Sequence, residues 1–239
     1  MADDDGAPAP PASPAVRREW LRRVEAEYRS ATFAQQLTLW LMEIGAPPDL
    51  IEAGLRIAAD ELAHSEASHE VYRAAGGGSP PNIARPGLRL PEHDPLETRI
   101  VRYGVDIFCI GETVAVRLFR RLRAGCVVSV ARRALDRILH DEVFHRDFGW
   151  GLLEWLLDSP HEALARAVLA GEVASMLERV RKNYGALEAA GESAAHTVDE
   201  AERAWGLMSL DEYAEAVEET FLRDYGPRFA GLDISIYGS

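Results

Sequence analysis

A Glu-x-x-His pair, Glu61 and His64, sits inside a long helical pattern, and the chain repeats it as Glu142 and His145. On an α-helix, residues three apart share a face one turn from each other, so a carboxylate and an imidazole at that spacing can reach one metal ion together. A single pair of this kind is a common accident in an acidic helical protein, where it reads as a solvated ion pair. Each pair here has a further carboxylate upstream at a similar distance. Glu27 lies 34 positions before Glu61 (27 to 61), and Glu112 lies 30 before Glu142 (112 to 142).

Two residues of an antiparallel helical hairpin face each other when they are equidistant from its turn. Between Glu27 and Glu61 the breaker is Gly45-Ala46-Pro47-Pro48, which puts each carboxylate about 18 to 26 Å of helix from the turn at 1.5 Å per residue. Between Glu112 and Glu142 the break falls near Ala124-Gly125. All four carboxylates are thus expected near the middle of two similar hairpins.

Apolar periodicity gives the four rods. The first is expected from about Ala15 to Ile44, with Val24, Ala31, Ala34, Leu37 and Leu41 at three- and four-residue steps. Glu27 falls in that stripe and Glu25 outside it. The second runs from Asp49 to Ala75 with Ile57, Ala58, Glu61, His64, Ser68 and Val71 inward, leaving Glu66 and His69 to solvent. The third, Pro95 to Arg123, carries Val105, Phe108, Cys109, Glu112 and Phe119 on one face, and Cys109 reads as a small core residue. The fourth, Val127 to Leu157, presents Leu135, Ile138, Glu142, His145, Phe148 and Leu152, with Trp150 and Trp155 as packing. Titratable groups within apolar stripes would cost several kcal/mol unless paired or metal-bound. Metal supplies that compensation.

Around the rods, residues 1–14 are charged and proline-rich and are expected to be a disordered leader. Residues 76–94 are rich in Gly and Pro and form a long connection; a parallel relation between the second and third helices requires one. Residues 15–157 then make one helical domain carrying a dimetal site, and 158–239 a helical extension with segments at His161–Tyr184 and Ser209–Tyr225. The extension either caps the bundle or forms a homodimer surface. A net charge of −13 without a basic run argues against nucleic acid. No apolar run spans a membrane and the N-terminus lacks a signal-peptide pattern, so a cytoplasmic location is expected. Two cysteines are too few for a disulfide framework or a Cys-x-x-Cys knuckle.

The constellation resembles the ferritin-like superfamily of di-iron carboxylate proteins. Glu27, Glu61, His64, Glu112, Glu142 and His145 match its six metal-ligand positions. Gly45-Ala46-Pro47-Pro48, Cys109-Ile110-Gly111-Glu112-Thr113 and both Asp-Glu-x-x-His blocks are similar to bacterial ferritin-like domain proteins of unassigned substrate. The resemblance covers about residues 16 to 157. It implies an all-α, ferritin-like four-helix bundle with a long crossover connection and extra C-terminal helices. It also implies that Asp60 and Asp141 each accept the far N–H of a ligand histidine from the opposite hairpin.

Four carboxylates and two imidazoles suit two iron ions, or an iron–manganese or dimanganese pair, and balance a divalent pair in an apolar interior. The first functional expectation is an oxygen-activating di-iron oxidoreductase that hydroxylates, desaturates or N-oxygenates a small organic substrate with an external electron donor. The second is a ferroxidase or other iron-handling or oxidant-detoxifying protein without organic substrate. The third is a metal-free bundle whose carboxylates and histidines form buried ion pairs. Phe33, Trp40, Phe108, Phe119 and Phe144 are the candidate walls of a substrate tunnel.

Overall fold

The computed structural model describes residues 9–78, 81–185 and 197–236. Every regular element among these is a helix, with no strand among the described residues. Helix α1 (Pro14–Glu43) and α2 (Pro48–Ala74) pack along their length. Ser13 caps α1, its hydroxyl accepting from the Val16 N–H at 3.2 Å, and proline fills the first helical position. Gly45 ends the helix at φ 72°, a conformation that L side chains rarely adopt, so the sequence breaker works here as a left-handed turn. Ser65 ties the hairpin across, donating to the Val24 carbonyl at 3.0 Å.

The expected third helix is one rod in three parts: α3 (Leu96–Tyr103), a π-helical stretch (Gly104–Gly111) and α4 (Glu112–Gly125). A continuous α-helix was expected, and the difference has a physical cause outside the rod. A π turn disrupts the regular carbonyl ladder, and its groups need other partners. The Tyr225 hydroxyl donates to the Ile110 carbonyl at 2.7 Å, and Thr113 takes the Cys109 carbonyl at 2.6 Å while accepting from the Trp150 indole at 2.9 Å. Gly149 lets the next helix come close: a Cβ there would lie 2.0 Å from the Phe108 carbonyl oxygen. The π stretch ends where Glu112 begins.

Helix α5 (Ser129–Leu157) packs on the π stretch, on α4 and on α2, so the two Glu-x-x-His helices face each other. The link between α2 and α3 contains a 3₁₀ turn (Arg85–Leu88) where no helical period was expected. It lies against α1: the Gln36 side chain accepts from the Leu90 N–H at 2.8 Å, and Leu90 is buried.

Beyond α5, α6 (Glu162–Val180) packs on α3 and on the π stretch of that rod, then continues into a second π turn (Arg181–Gly185). Short α7 (Glu200–Ala204) and then α8 (Leu210–Thr220) both open on capping boxes, Asp199 with Glu202 and Ser209 with Glu212. A third π turn (Phe221–Tyr225) leads into α9 (Gly226–Gly231). Helix α8 lies on α4 and on the second π turn. Of the expected leader, residues 1–8 lie outside the described residues. Residues 9–13 are anchored, since the Pro10 carbonyl accepts from the Trp205 indole at 2.9 Å. No helix among the described residues is long and apolar enough to cross a membrane.

Candidate metal centre

Glu27, Glu61, His64, Glu112, Glu142 and His145 are all buried, the two histidines fully. They come from four rods: Glu27 from α1, Glu61 and His64 from α2, Glu112 from α4, and Glu142 and His145 from α5. Their donor atoms form two groups, each within 4.8 Å, that could hold a metal ion. One group is Glu27, Glu61, His64 and Glu142; the other is Glu61, Glu112, Glu142 and His145. Glu61 and Glu142 belong to both. The rings of His64 and His145 are 5.6 Å apart, and the Glu-x-x-His register puts each imidazole beside the carboxylates of both helices.

Each imidazole turns Nδ1 to the carboxylates and Nε2 to an aspartate of the other helix. His64 Nδ1 lies 3.7 Å from Glu61 and 4.0 Å from Glu142; His145 Nδ1 lies 3.3 Å from Glu61 and 3.9 Å from Glu142. His64 Nε2 is 3.1 Å from Asp141 and His145 Nε2 is 3.5 Å from Asp60. Asp141 is thus hydrogen-bonded across to His64, the arrangement that fixes an imidazole's tautomer, whereas Asp60 stands near His145 Nε2 without making a hydrogen bond to it.

Whether these residues fit a metal is tested by their unsatisfied atoms. Glu61 Oε2, Glu142 Oε2, His64 Nδ1 and His145 Nδ1 are buried without a hydrogen-bond partner. An orphaned buried polar atom costs about 1–3 kcal/mol, and folded proteins rarely keep several together. All four belong to the groups just described. Divalent cations would occupy their lone pairs and balance the four carboxylates, so the donor set fits.

Electrostatics describe the same strain. Burial, then the neighbouring Glu61 carboxylate, holds Glu27 well above the usual carboxylate range, and burial with the Glu112 charge does the same for Glu142. Glu112 is also raised, chiefly by burial. Burial would raise Glu61 too, but His145 and His64 outweigh it and bring that carboxyl below its ordinary value. For His145, burial opposes the charged ring, yet the Glu61 carboxylate 3.3 Å away and the Glu112 charge push it up.

Two contributors escaped the reading of the sequence. Ser30, three residues after Glu27 on the same stripe, donates to Glu61 Oε1 at 3.1 Å. Arg23, one turn before Glu27, is buried beneath the cluster's rim. Its guanidinium stands 4.4 Å over the Trp20 ring, donates to the Gly206 carbonyl at 3.0 Å and meets Glu19 at 3.3 Å. The i+3 and i−4 spacings from Glu27 were the available signals. Cys109 is buried, and its charge environment is Arg228 and Glu154 rather than the cluster.

A cavity of about 430 Å³ reaches the cluster between α1 and α4. Glu27, Glu61, Glu112 and Glu142 line it, whereas His64 and His145 do not. It therefore opens on the carboxylate side. Val180 of α6, Asn183 and Tyr184 of the following π turn, and Tyr213 of α8 cover it. Burial pushes Tyr184 up to about 12, which keeps its hydroxyl neutral over the carboxylates. Of the five aromatic side chains expected along a tunnel, Phe33 and Phe119 line this cavity. The others do not: Phe108 packs edge-on against Phe148, Trp40 lies beneath Arg99, and Phe144 beneath Arg56.

No family profile, no curated protein and no solved structure matches this chain.

Proposed function

We propose that the chain is a ferritin-like four-helix bundle with a crossover between α2 and α3. In this reading it is a non-haem di-iron oxidoreductase that activates dioxygen to hydroxylate, desaturate or N-oxygenate a small organic substrate. The observation that carries this reading is the pair of donor groups that share Glu61 and Glu142. With Glu61 and Glu142 common to both groups, these residues would hold two neighbouring ions.

Glu27 and His64 complete one position, and Glu112 and His145 the other. When bound, iron in oxygen and imidazole donors supplies the dioxygen chemistry that amino-acid side chains lack. The protein's part is orientation and access. Asp141 accepts the Nε2 proton of His64, leaving the Nδ1 lone pair directed at the cluster, and Asp60 stands 3.5 Å from His145 Nε2. The carboxylate side adjoins a chamber of about 430 Å³, within the range of pockets that enclose small organic molecules. That chamber favours oxidation of an organic substrate over iron storage.

The test is metal analysis followed by oxygen exposure. About two irons per chain, and a transient visible absorption when the ferrous protein meets dioxygen, are expected. A chain that binds no iron overturns the reading. Accumulation of iron far beyond two per chain replaces it with iron handling.

A further inference from the structure

The cavity wall carries a second chemistry. Its inner part is apolar, with Phe33, Ile107, Leu118, Phe119 and Val180 standing around the carboxylates. The same lining carries four arginines, buried Arg23 and exposed Arg22, Arg29 and Arg179, against two acids outside the cluster, Glu19 and Asp106. In a chain of net charge −13 this is a local excess of positive charge.

Three of the four arginines already have partners. Arg22 grips Glu19 through two contacts of 2.8 and 3.0 Å, Arg23 is held by Glu19 and the Gly206 carbonyl, and Arg179 meets Asp106 at 2.8 Å. The Arg29 guanidinium makes no hydrogen bond or ion pair among the described residues; the residue is exposed on the cavity wall, and a Cβ at Gly87 of the α2–α3 link would lie 3.5 Å from its Nε. It lies on α1 seven residues after Arg22, about 10 Å along the helix at 1.5 Å per residue, on the same face. Between them stands exposed Ala26, and across the cavity stands Ala115 of α4.

We infer that the substrate is an amphipathic acid. Its apolar body fills the chamber against the Glu27 and Glu112 side of the cluster, and its carboxylate or phosphate group is held at the rim by Arg29. This rests on the function proposed above for the same centre. A guanidinium presents paired N–H donors to an oxyanion, whereas a cationic head group would meet the unpaired charge of Arg29. The chemistry at the metals then falls on the part of the molecule distant from the acid.

Binding to the full chain as purified tests this, with metal content measured on the same sample. The probes are 4-phenylbutanoate, 3-phenylpropyl phosphate, 4-phenylbutanamide and 4-phenylbutylamine, followed by calorimetry. One or both acids should bind about ten- to a hundredfold more tightly than the amide, the range expected for a charged hydrogen bond, and the amine most weakly. Whichever acid binds better identifies the head group. Arg29→Gln should bring acid and amide to equal affinity while leaving metal content unchanged. Ala115→Phe should weaken every probe by closing the chamber. The inference is overturned if the amide or amine binds as well as both acids, if no probe binds, or if Arg29→Gln keeps the preference. Two metals without acid preference would leave the proposed function standing alone. Acid preference in a chain that binds no metal would do the reverse.

Discussion

Sharing of Glu61 and Glu142 between the two donor groups predicts an asymmetry among the carboxylates. Glu142 contributes to both groups, whereas Glu112 contributes to one. Glu142→Gln should therefore remove both metals, and Glu112→Gln should leave about one of two. At free metal about a hundredfold above the dissociation constant, each site stabilises the folded chain by about 2.7 kcal/mol. For a chain of this length 1 kcal/mol moves Tm by about 2–4 °C. Metal should then raise Tm by about 10–20 °C in the wild type, by about half that in Glu112→Gln, and not at all in Glu142→Gln. Calorimetric melting with and without ferrous or manganous ion, alongside metal analysis, reads both quantities. The metal-free variants serve as folding controls. Each loses a carboxyl whose charged form burial disfavours, so neither should melt below the metal-free wild type by more than a few degrees. Two metals retained by Glu142→Gln, or both lost from Glu112→Gln with one kept by Glu142→Gln, would refute the shared-ligand geometry.

Asp141→Asn should weaken metal retention about 10- to 100-fold in a chelator competition, because it replaces the charged acceptor 3.1 Å from His64 Nε2 with a neutral amide. Asp60→Asn should have a smaller effect, its contact with His145 being 3.5 Å. Gly149→Ala drives a methyl into the Phe108 carbonyl and should destabilise the fold by about 3 kcal/mol or more in urea. Gly151→Ala on the same helix meets nothing within 4 Å and should stabilise it by roughly 0.5–1 kcal/mol. Glu212 is held down to about 2, chiefly by its hydrogen bond to the Arg203 guanidinium, with Ser209 helping to outweigh burial, which acts the other way. Because its folded value lies below the unfolded one of about 4.3, its contribution is complete above that pH and is lost as pH falls toward about 2. The Tm gap between wild type and Glu212→Gln should therefore be widest above about pH 5 and close in acid.

Residues and spacings alone located the six candidate ligands, since the apolar stripes around Glu27, Glu61, Glu112 and Glu142 and the breakers at Gly45 and Gly125 are local properties of the chain. Helical periodicity is set by near neighbours, so it survives being read one segment at a time. The approach of Asp60 and Asp141 to histidines of the opposite helix was suggested by resemblance and not by spacing, because it joins residues far apart in sequence. Tertiary structure alone decided the π stretch before Glu112. That stretch depends on a hydroxyl from Tyr225 and on the absence of a side chain at Gly149, neither of which leaves a mark on residues 104–111. It also decided which aromatic side chains face the cavity, and that the C-terminal helices cover it. A wall made by α1, α4, the turn after α6 and α8 exists only once those elements pack, so no single segment encodes it.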